Sequence, residues 1–351
     1  MKIKQLISYL ESIAPPGLQE SYDNSGLLIG DPDETLKGVL ICLDSTEEVV
    51  AEAINLGCNL ILAHHPIIFR GLKRLNGRTY VERVVMDAIK NEVAIYAIHT
   101  NLDNVYRQGV NAKIAEKLGL INTRILSPKS DLKKLVTNIP LARLKDTRTA
   151  LLAAGADRVY DFTIPGMAVQ RKDSLLETKK MYQKLEVVFS STIKENIVGA
   201  LQKKHPSTLP DYEIFSIDNE NLEVGSGLIG ELERPMEEVL FLKFLKKTMQ
   251  TACIRHTRFL GKPVSKVALC GGSGGFLLKQ SIAQKADIFI TADYKYHEFF
   301  DADGKIIIAD IGHYESEQFT IELLHGLICQ KFSNFAAHLT KVNTNPVNYY
   351  F

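Results

Sequence analysis

Short apolar runs alternate with amphipathic stretches along the first third of the chain. Residues 38–43 are almost wholly apolar. The polar Asp44-Ser45-Thr46-Glu47-Glu48 that follows has the form of a helix start, with a hydroxyl cap and acids in the first turn. Residues 58–63 and 93–98 are two more apolar runs. Residues 80–90 and 110–118 carry apolar positions at helical spacing, the second stretch ended by Gly119. Strands that are apolar throughout are buried on both faces, so the pattern predicts mostly parallel sheets with flanking helices, an α/β class of fold. The last third repeats the pattern. Residues 266–270, 287–291 and 305–309 read as strands, and 317–330 as a helix.

The middle follows a different order. Residues 134–139 read as a strand, 141–154 as a helix, 160–169 and 185–189 as two strands, 195–203 as a helix and 212–217 as a strand. That βαββαβ order is the ferredoxin-like α+β unit. It is bounded by Ser127-Pro128 and by a polar, glycine-containing stretch over 219–227. The expectation is a host domain in two parts, 1–126 and 222–351, interrupted by an insert at 127–221.

Composition narrows the classes. The 351 residues are 45% hydrophobic and 24% charged, as in an ordinary folded chain of about two domains. Lys and Arg number 42 against 41 Asp and Glu, so no global positive field favours nucleic acid or an anionic membrane surface. No apolar stretch approaches the ~20 residues that span a bilayer. The first eleven residues lack the apolar core and cleavage site of a signal peptide. The five cysteines are odd in number, widely spaced and without a C-x-x-C pair, which predicts reduced, buried thiols in a cytoplasmic protein.

In open α/β sheets, ligands bind beyond the carboxyl ends of parallel strands. Here those positions are rich in metal-ligating side chains. His64 and His65 follow the second apolar run, and His99 and Asp103 the third. Asp293, with His297 and Glu298, follows 287–291, and Asp310, His313 and Glu317 follow 305–309. Adjacent His64 and His65 point in different directions, and so can address two ions, or one ion and a hydrogen-bond partner. His313 and Glu317 are four apart, on one helix face, with roots about 5–6 Å apart. Imidazoles and carboxylates without thiolate suit zinc, manganese, iron or cobalt in an open site. Capping, packing or a solvated helix face would account for each feature taken singly. The glycine-rich Gly271–Gly275 reads either as a phosphate cradle or as a tight strand–helix turn.

Five segments together resemble a known family. They are Tyr22-Asp23-Asn24-Ser25-Gly26-Leu27, Leu62-Ala63-His64-His65-Pro66, His99-Thr100-Asn101-Leu102-Asp103, Thr291-Ala292-Asp293-Tyr294-Lys295-Tyr296-His297 and Gly312-His313-Tyr314-Glu315-Ser316-Glu317. In both flanks, and in order, they resemble the NIF-three-like dinuclear metal-centre proteins, often named GTP cyclohydrolase I type 2 homologues. Ala292 stands where that family usually has Gly. The insert is similar to the PII/CutA trimeric fold. The resemblance implies two divalent ions per chain, zinc first, with manganese, iron or cobalt as alternatives. His64 and His313 would hold one ion, His65 and Asp103 the other, and Glu317 would bridge them. It also implies a toroidal homohexamer and a hydrolase acting on a nucleotide or related small molecule. Asp293 or His297 would move the proton, and Tyr22, Asn24 and the glycine-rich loop would touch substrate. Two other readings stand beside it. One is a metal-binding regulatory or scaffold hexamer without turnover. The other is a DNA-associated ring using a local stripe such as Lys243, Lys246 and Lys247, which the net charge does not support.

Overall fold

The computed structural model describes residues 1–162, 182–206, 210–332 and 335–350. The chain divides into two compact units, Met1–Pro128 with Leu222–Phe351, and Lys129–Asn221. The first part runs α1 (Ile3–Ile13), β1 (Gly26–Ile29), β2 (Val39–Cys42), α2 (Glu47–Asn55), β3 (Leu60–Ala63), α3 (Tyr80–Lys90), β4 (Ala94–Ala97), α4 (Thr100–Asp103), α5 (Val110–Lys117) and β5 (Ile121–Lys129). The middle adds β6 (Leu132–Pro140), α6 (Leu144–Ala153), β7 (Arg158–Phe162), β8 (Tyr182–Ser190), α7 (Lys194–Lys204) and β9 (Tyr212–Ser216). The last part runs β10 (Asn221–Met236), α8 (Glu238–Thr248), β11 (Arg255–His256), β12 (Val264–Ser273), α9 (Leu278–Ala283), β13 (Ile288–Ala292), β14 (Ile307–Asp310), α10 (His313–Glu317), α11 (Thr320–Lys331) and β15 (Ala337–Leu339).

Two sheets build the host unit. The first has the order β1-β4-β3-β2-β15 and the second β11-β14-β13-β12-β10-β5. At the centre of each, β2, β3 and β4 and then β12, β13 and β14 run parallel. Antiparallel β1 and β11 flank these cores. Alternate residues of one strand enter different cores, which is what a sheet covered on both faces requires. Leu60 and Leu62 join Leu269, Ile290 and Ala309 in the core shared by the two sheets. Their neighbours Ile61 and Ala63 pack under α2 and α3 with Val49, Val84 and Val85. On the second sheet, Ala268, Phe289 and Ile308 face a third core.

The helix starts follow local chemistry. Thr46 Oγ1 accepts from Val49 N–H at the start of α2, and Thr79 Oγ1 from Glu82 N–H at the start of α3. The helix expected over 317–330 is observed as α11, Thr320–Lys331, with Glu317 at the end of a separate turn before it. The turn α10 begins at His313, and α11 starts afresh at Thr320. At the break the Gln318 amide donates to Met249 O, a tertiary bond that a continuous helix would have to accommodate. Strands β1, β5, β10, β11 and β15 were not signalled by the apolar pattern. The long β10 carries Gly225, Gly227 and Gly230, and reads in sequence as a boundary. Of the five cysteines, all free, Cys42, Cys58 and Cys270 are buried, whereas Cys253 is only partly covered and Cys329 is exposed. The expectation of uniform burial therefore holds for three. Among the described residues, no helix is long and apolar enough to cross a membrane.

The second unit has the sheet order β7-β8-β6-β9, each neighbouring pair antiparallel. Helices follow its first and third strands, and Leu135, Leu185, Val187, Phe189, Ile197 and Leu201 form its core. The strand expected at 160–169 is observed as β7 up to Phe162, and 163–169 lie outside the described residues.

The double covering of the first sheet gives a stability prediction. Ile61 and Leu62 are adjacent, both fully buried, and face opposite cores. Ile61→Ala and Leu62→Ala should each cost about 2–5 kcal/mol in urea unfolding. A sheet with one wet face would make one of the two nearly neutral.

Candidate metal centre

Both sheets present the carboxyl ends of their parallel strands to one place. Past β3, His64 N–H and His65 N–H donate to Cys42 O and Leu43 O, so the ladder with β2 continues and the two side chains diverge. Past β4, His99 opens α4, which ends in Asp103. Past β13, Asp293 takes the left-handed conformation, φ 56°, which aspartate tolerates better than most residues. Past β14, Gly312 with φ 93° turns the chain into α10, with His313 and Glu317 on one face.

Glu317 is the hub. Its Oε2 lies 2.9 Å from His65 Nε2, 3.1 Å from His313 Nε2 and 3.9 Å from His64 Nε2. The Nε2 atoms of His65 and His313 are 3.4 Å apart, and His64 Nε2 is 3.7 Å from Asp103 Oδ1. The other ring nitrogen of each imidazole is engaged outward. His64 Nδ1 donates to Ile98 O at 2.8 Å, His65 Nδ1 to Asp44 Oδ1 at 2.8 Å and His313 Nδ1 to Asp293 Oδ2 at 2.6 Å. His99 Nδ1 donates to Asp23 Oδ1 at 2.8 Å. Carbonyl or carboxylate on Nδ1 and a converging Nε2 is the arrangement of metal-ligating histidine. Among the described residues, His64 Nε2 and Asp103 Oδ1 are buried and without a hydrogen-bond partner. Buried polar atoms are seldom left so. A divalent ion with nitrogen and oxygen ligands fits this donor set.

Electrostatics follow from crowding charges in a dry place. Burial and the neighbouring His65 and His99 hold His64 neutral, its pKa down to about 3 although Glu317 pulls the other way. Burial also opposes charge on His65 and His313. For them it is outweighed by Glu317 together with Asp44 or Asp293, and the values stand at about 10 and about 11. Desolvation and the charge of Glu317 raise the Asp103 carboxyl well above the usual range. Burial acts on Glu317 too, but His313 and His65 keep it ionised. Asp23 is likewise held low against its burial, by hydrogen bonds from His99, Thr100 and Ser25.

All five residues expected as ligands come together in one cluster. Atoms close enough to share an ion fall into the sets His64, Asp103, Glu317 and His65, His313, Glu317, and a third set joins His64, His65 and His99. Asp293 lies at the site as the partner of His313. His297 sits exposed on the short 3-10 helix Tyr296–Ala302, its ring edge against Tyr296. Tyr22 is exposed beside Phe69, and the Asn24 amide donates to Ile68 O. In the glycine-rich stretch, Gly271, Gly272 and Gly274 N–H groups already donate to Asn111, Ser316 and Thr291 side chains, so the turn reading describes it better than the phosphate cradle. Gly272, with φ 61°, has a further role, since a Cβ there would collide with Glu317 Oε1. A cavity of about 620 Å³ opens over the cluster, lined by His65, His99, His313, Phe69, Arg255 and Tyr349 among others. Nothing in the sequence pattern placed Asp44, Asp23 or Gly272 beside the expected ligands. A helix-start acid two residues beyond β2 was the one available signal for Asp44.

Residues 1–346 match the DUF34/NIF3 family, NGG1p interacting factor 3. A Halalkalibacterium halodurans protein named GTP cyclohydrolase 1 type 2 homolog is 33% identical over 369 aligned positions, covering 98% of each chain. A Bacillus cereus protein described as related to NIF3 has a crystal structure that superposes with TM-score 0.85 at 32% identity, over 100% of this chain and 99% of that one. A Staphylococcus aureus crystal structure superposes with TM-score 0.80 at 30% identity, over 100% and 99%. With the match running through both flanks and the region between them, the chain belongs to the DUF34/NIF3 family.

Proposed function

We propose that the cluster holds two divalent ions, zinc first, with manganese, iron or cobalt as alternatives, and that the protein is a metal-dependent hydrolase of a nucleotide or related small molecule. One observation carries the reading. A single buried carboxylate oxygen, Glu317 Oε2, lies within 3.9 Å of three converging Nε2 atoms, of which that of His64 lacks a hydrogen-bond partner, as does Asp103 Oδ1 beside it. We assign His64 and Asp103 to one ion, His65 and His313 to the other, and Glu317 to both. Such a pair, when bound, supplies Lewis acidity and activates water for attack. The chain's own residues orient and exclude. Asp44 and Asp293 fix the rings of His65 and His313, and Phe69 and Tyr349 wall the cavity. Asp23 holds His99 so that its Nε2 can carry a proton at the cavity edge; His297 and Asp293 are the other residues proposed for that step. The relatives' name supports GTP as a first substrate to test. The free cysteines support a reducing, cytoplasmic setting. We also propose a homohexamer, and an insert of PII/CutA type at 127–221.

Purified protein should carry close to two divalent ions per chain by elemental analysis. Glu317→Gln should lose more metal than His99→Ala, because it serves both ions. Asp44→Asn should weaken affinity about 10–100-fold. GTP and a phosphoester panel should be turned over by wild type and not by Glu317→Gln. Equal rates for the two would end the hydrolase reading and favour the scaffold.

Metal uptake should be coupled to protons. Without metal, His65 and His313 keep their protons through neutral pH, since their pKa values are raised to about 10 and about 11. A metal needs the same Nε2 lone pairs, so binding must expel those protons and affinity must fall as pH falls. Calorimetry in buffers of different ionisation enthalpy should record proton release at pH 7–8. Zero release would contradict the assignment of these two ligands.

Replacing 127–221 by a short Gly/Ser linker should leave the host folded and metal-loaded, because loop closure costs grow slowly with length. Insoluble or metal-free protein would show that the insert is required by the host.

A further inference from the structure

Beyond β15 the chain continues along the metal cavity. Thr340 N–H donates to Ile41 O at 2.9 Å and keeps the segment against β2. Four residues on, Thr344 Oγ1 donates to Asp44 Oδ2 at 2.7 Å. The other oxygen of that carboxylate accepts from His65 Nδ1. Asn345 Nδ2 donates to Glu315 Oε1 at 3.2 Å. Glu315 is buried and sits on α10 between His313 and Glu317. Asn345, Pro346, Val347 and Tyr349 then line the cavity together with His65, His99 and His313. One short segment therefore touches both halves of the ligand set, the half from the first sheet through Asp44 and the half from the second through Glu315.

We propose that residues 340–349 form a clasp on the metal site, in which Thr344 and Asn345 are positioning residues for ligands they do not touch. The inference rests on the metal reading above. A carboxylate that orients a ligating imidazole can itself rotate unless its second oxygen is held, and groups of this outer kind tune affinity. Thr344 holds Asp44, so the His65 ring is fixed in plane with its Nε2 turned toward Glu317. Asn345 holds Glu315, so α10 keeps its pitch against the strand ends. The same segment supplies one wall of the cavity, which ties the fit of a ligand to the alignment of the metal site.

The test uses the full chain loaded with Co(II), read by competitive metal titration and by visible absorption of the bound ion. Thr344→Val removes the hydroxyl at nearly constant volume. It should weaken cobalt binding about 3–10-fold, less than loss of a direct ring partner, and shift the visible bands. Thr344→Ser should restore both. In an Asp44→Asn background Thr344→Val should add nothing further, because its route to His65 is already cut. Asn345→Ala should change affinity and bands independently of Asp44→Asn, and it keeps the idea testable if Thr344→Val folds poorly. Thr344→Val and Asn345→Ala matching wild type in affinity and spectrum would overturn the clasp alone. So would a Thr344→Val penalty that persists undiminished in Asp44→Asn, since that is general loosening. Wild type that takes up no cobalt would overturn the metal reading and the clasp together.

Discussion

A carboxylate buried away from water must be compensated, and at Glu317 the compensation comes from two imidazoles at once, those of His65 and His313. Stripping a carboxylate of water costs several kcal/mol, and leaving it unpaired would be strongly destabilising. With His65 and His313 as cations, the Glu317 carboxylate is compensated by its own neighbours. Everything nearest the hub answers to it. Gly272 must be glycine for Glu317 to lie where it does. Gly312 must bend the chain so that α10 can present both His313 and Glu317. The outward Nδ1 bonds decide which nitrogen each ring turns inward.

The hub sits where two sheets share one core. Leu60 and Leu62 of the first sheet and Leu269, Ile290 and Ala309 of the second pack in a common cluster, so the strand ends that carry the histidines and acids are held at fixed separation by apolar packing. Side chains on strand ends and one-turn helices inherit that rigidity, which long loops would not give. The acids that orient the rings come from matching places: Asp44 follows β2 and Asp293 follows β13.

How much of this could be read from sequence depended on whether the signal was local. The central strands were legible because burial on both faces makes them apolar without a break, as in 38–43 and 287–291. The strand ends were legible as a place where metal-binding side chains gather, and the choice of five among them came from the family resemblance. The orientation acids were not. Asp44 looks like part of a helix start, and only the fold brings it to the His65 ring. The grouping of ligands also depended on the fold, since spacing along the chain says nothing about which ring faces Asp103. His297 lies four residues beyond Asp293, yet the turns of the 3-10 helix carry it to an exposed position. Strand β10 was hidden because its glycines, needed for close approach to β5, resemble those of a linker.

The pairing of β15 with β2 has a consequence for how the molecule is made. Ala337 lies opposite Val39, about 300 residues earlier in the chain. At ~5–20 residues per second, a ribosome needs roughly 15–60 s to cover that distance. During that interval the outer edge of β2 has no native neighbour, while β3 and β4 are already available on its other side. An open apolar edge is a template for pairing with other nascent chains. The first sheet is therefore a structure with a birth-order problem. Crowded polysomes, or a slow stretch of message before the last strand, would expose it more than heat or denaturant acting on the finished protein.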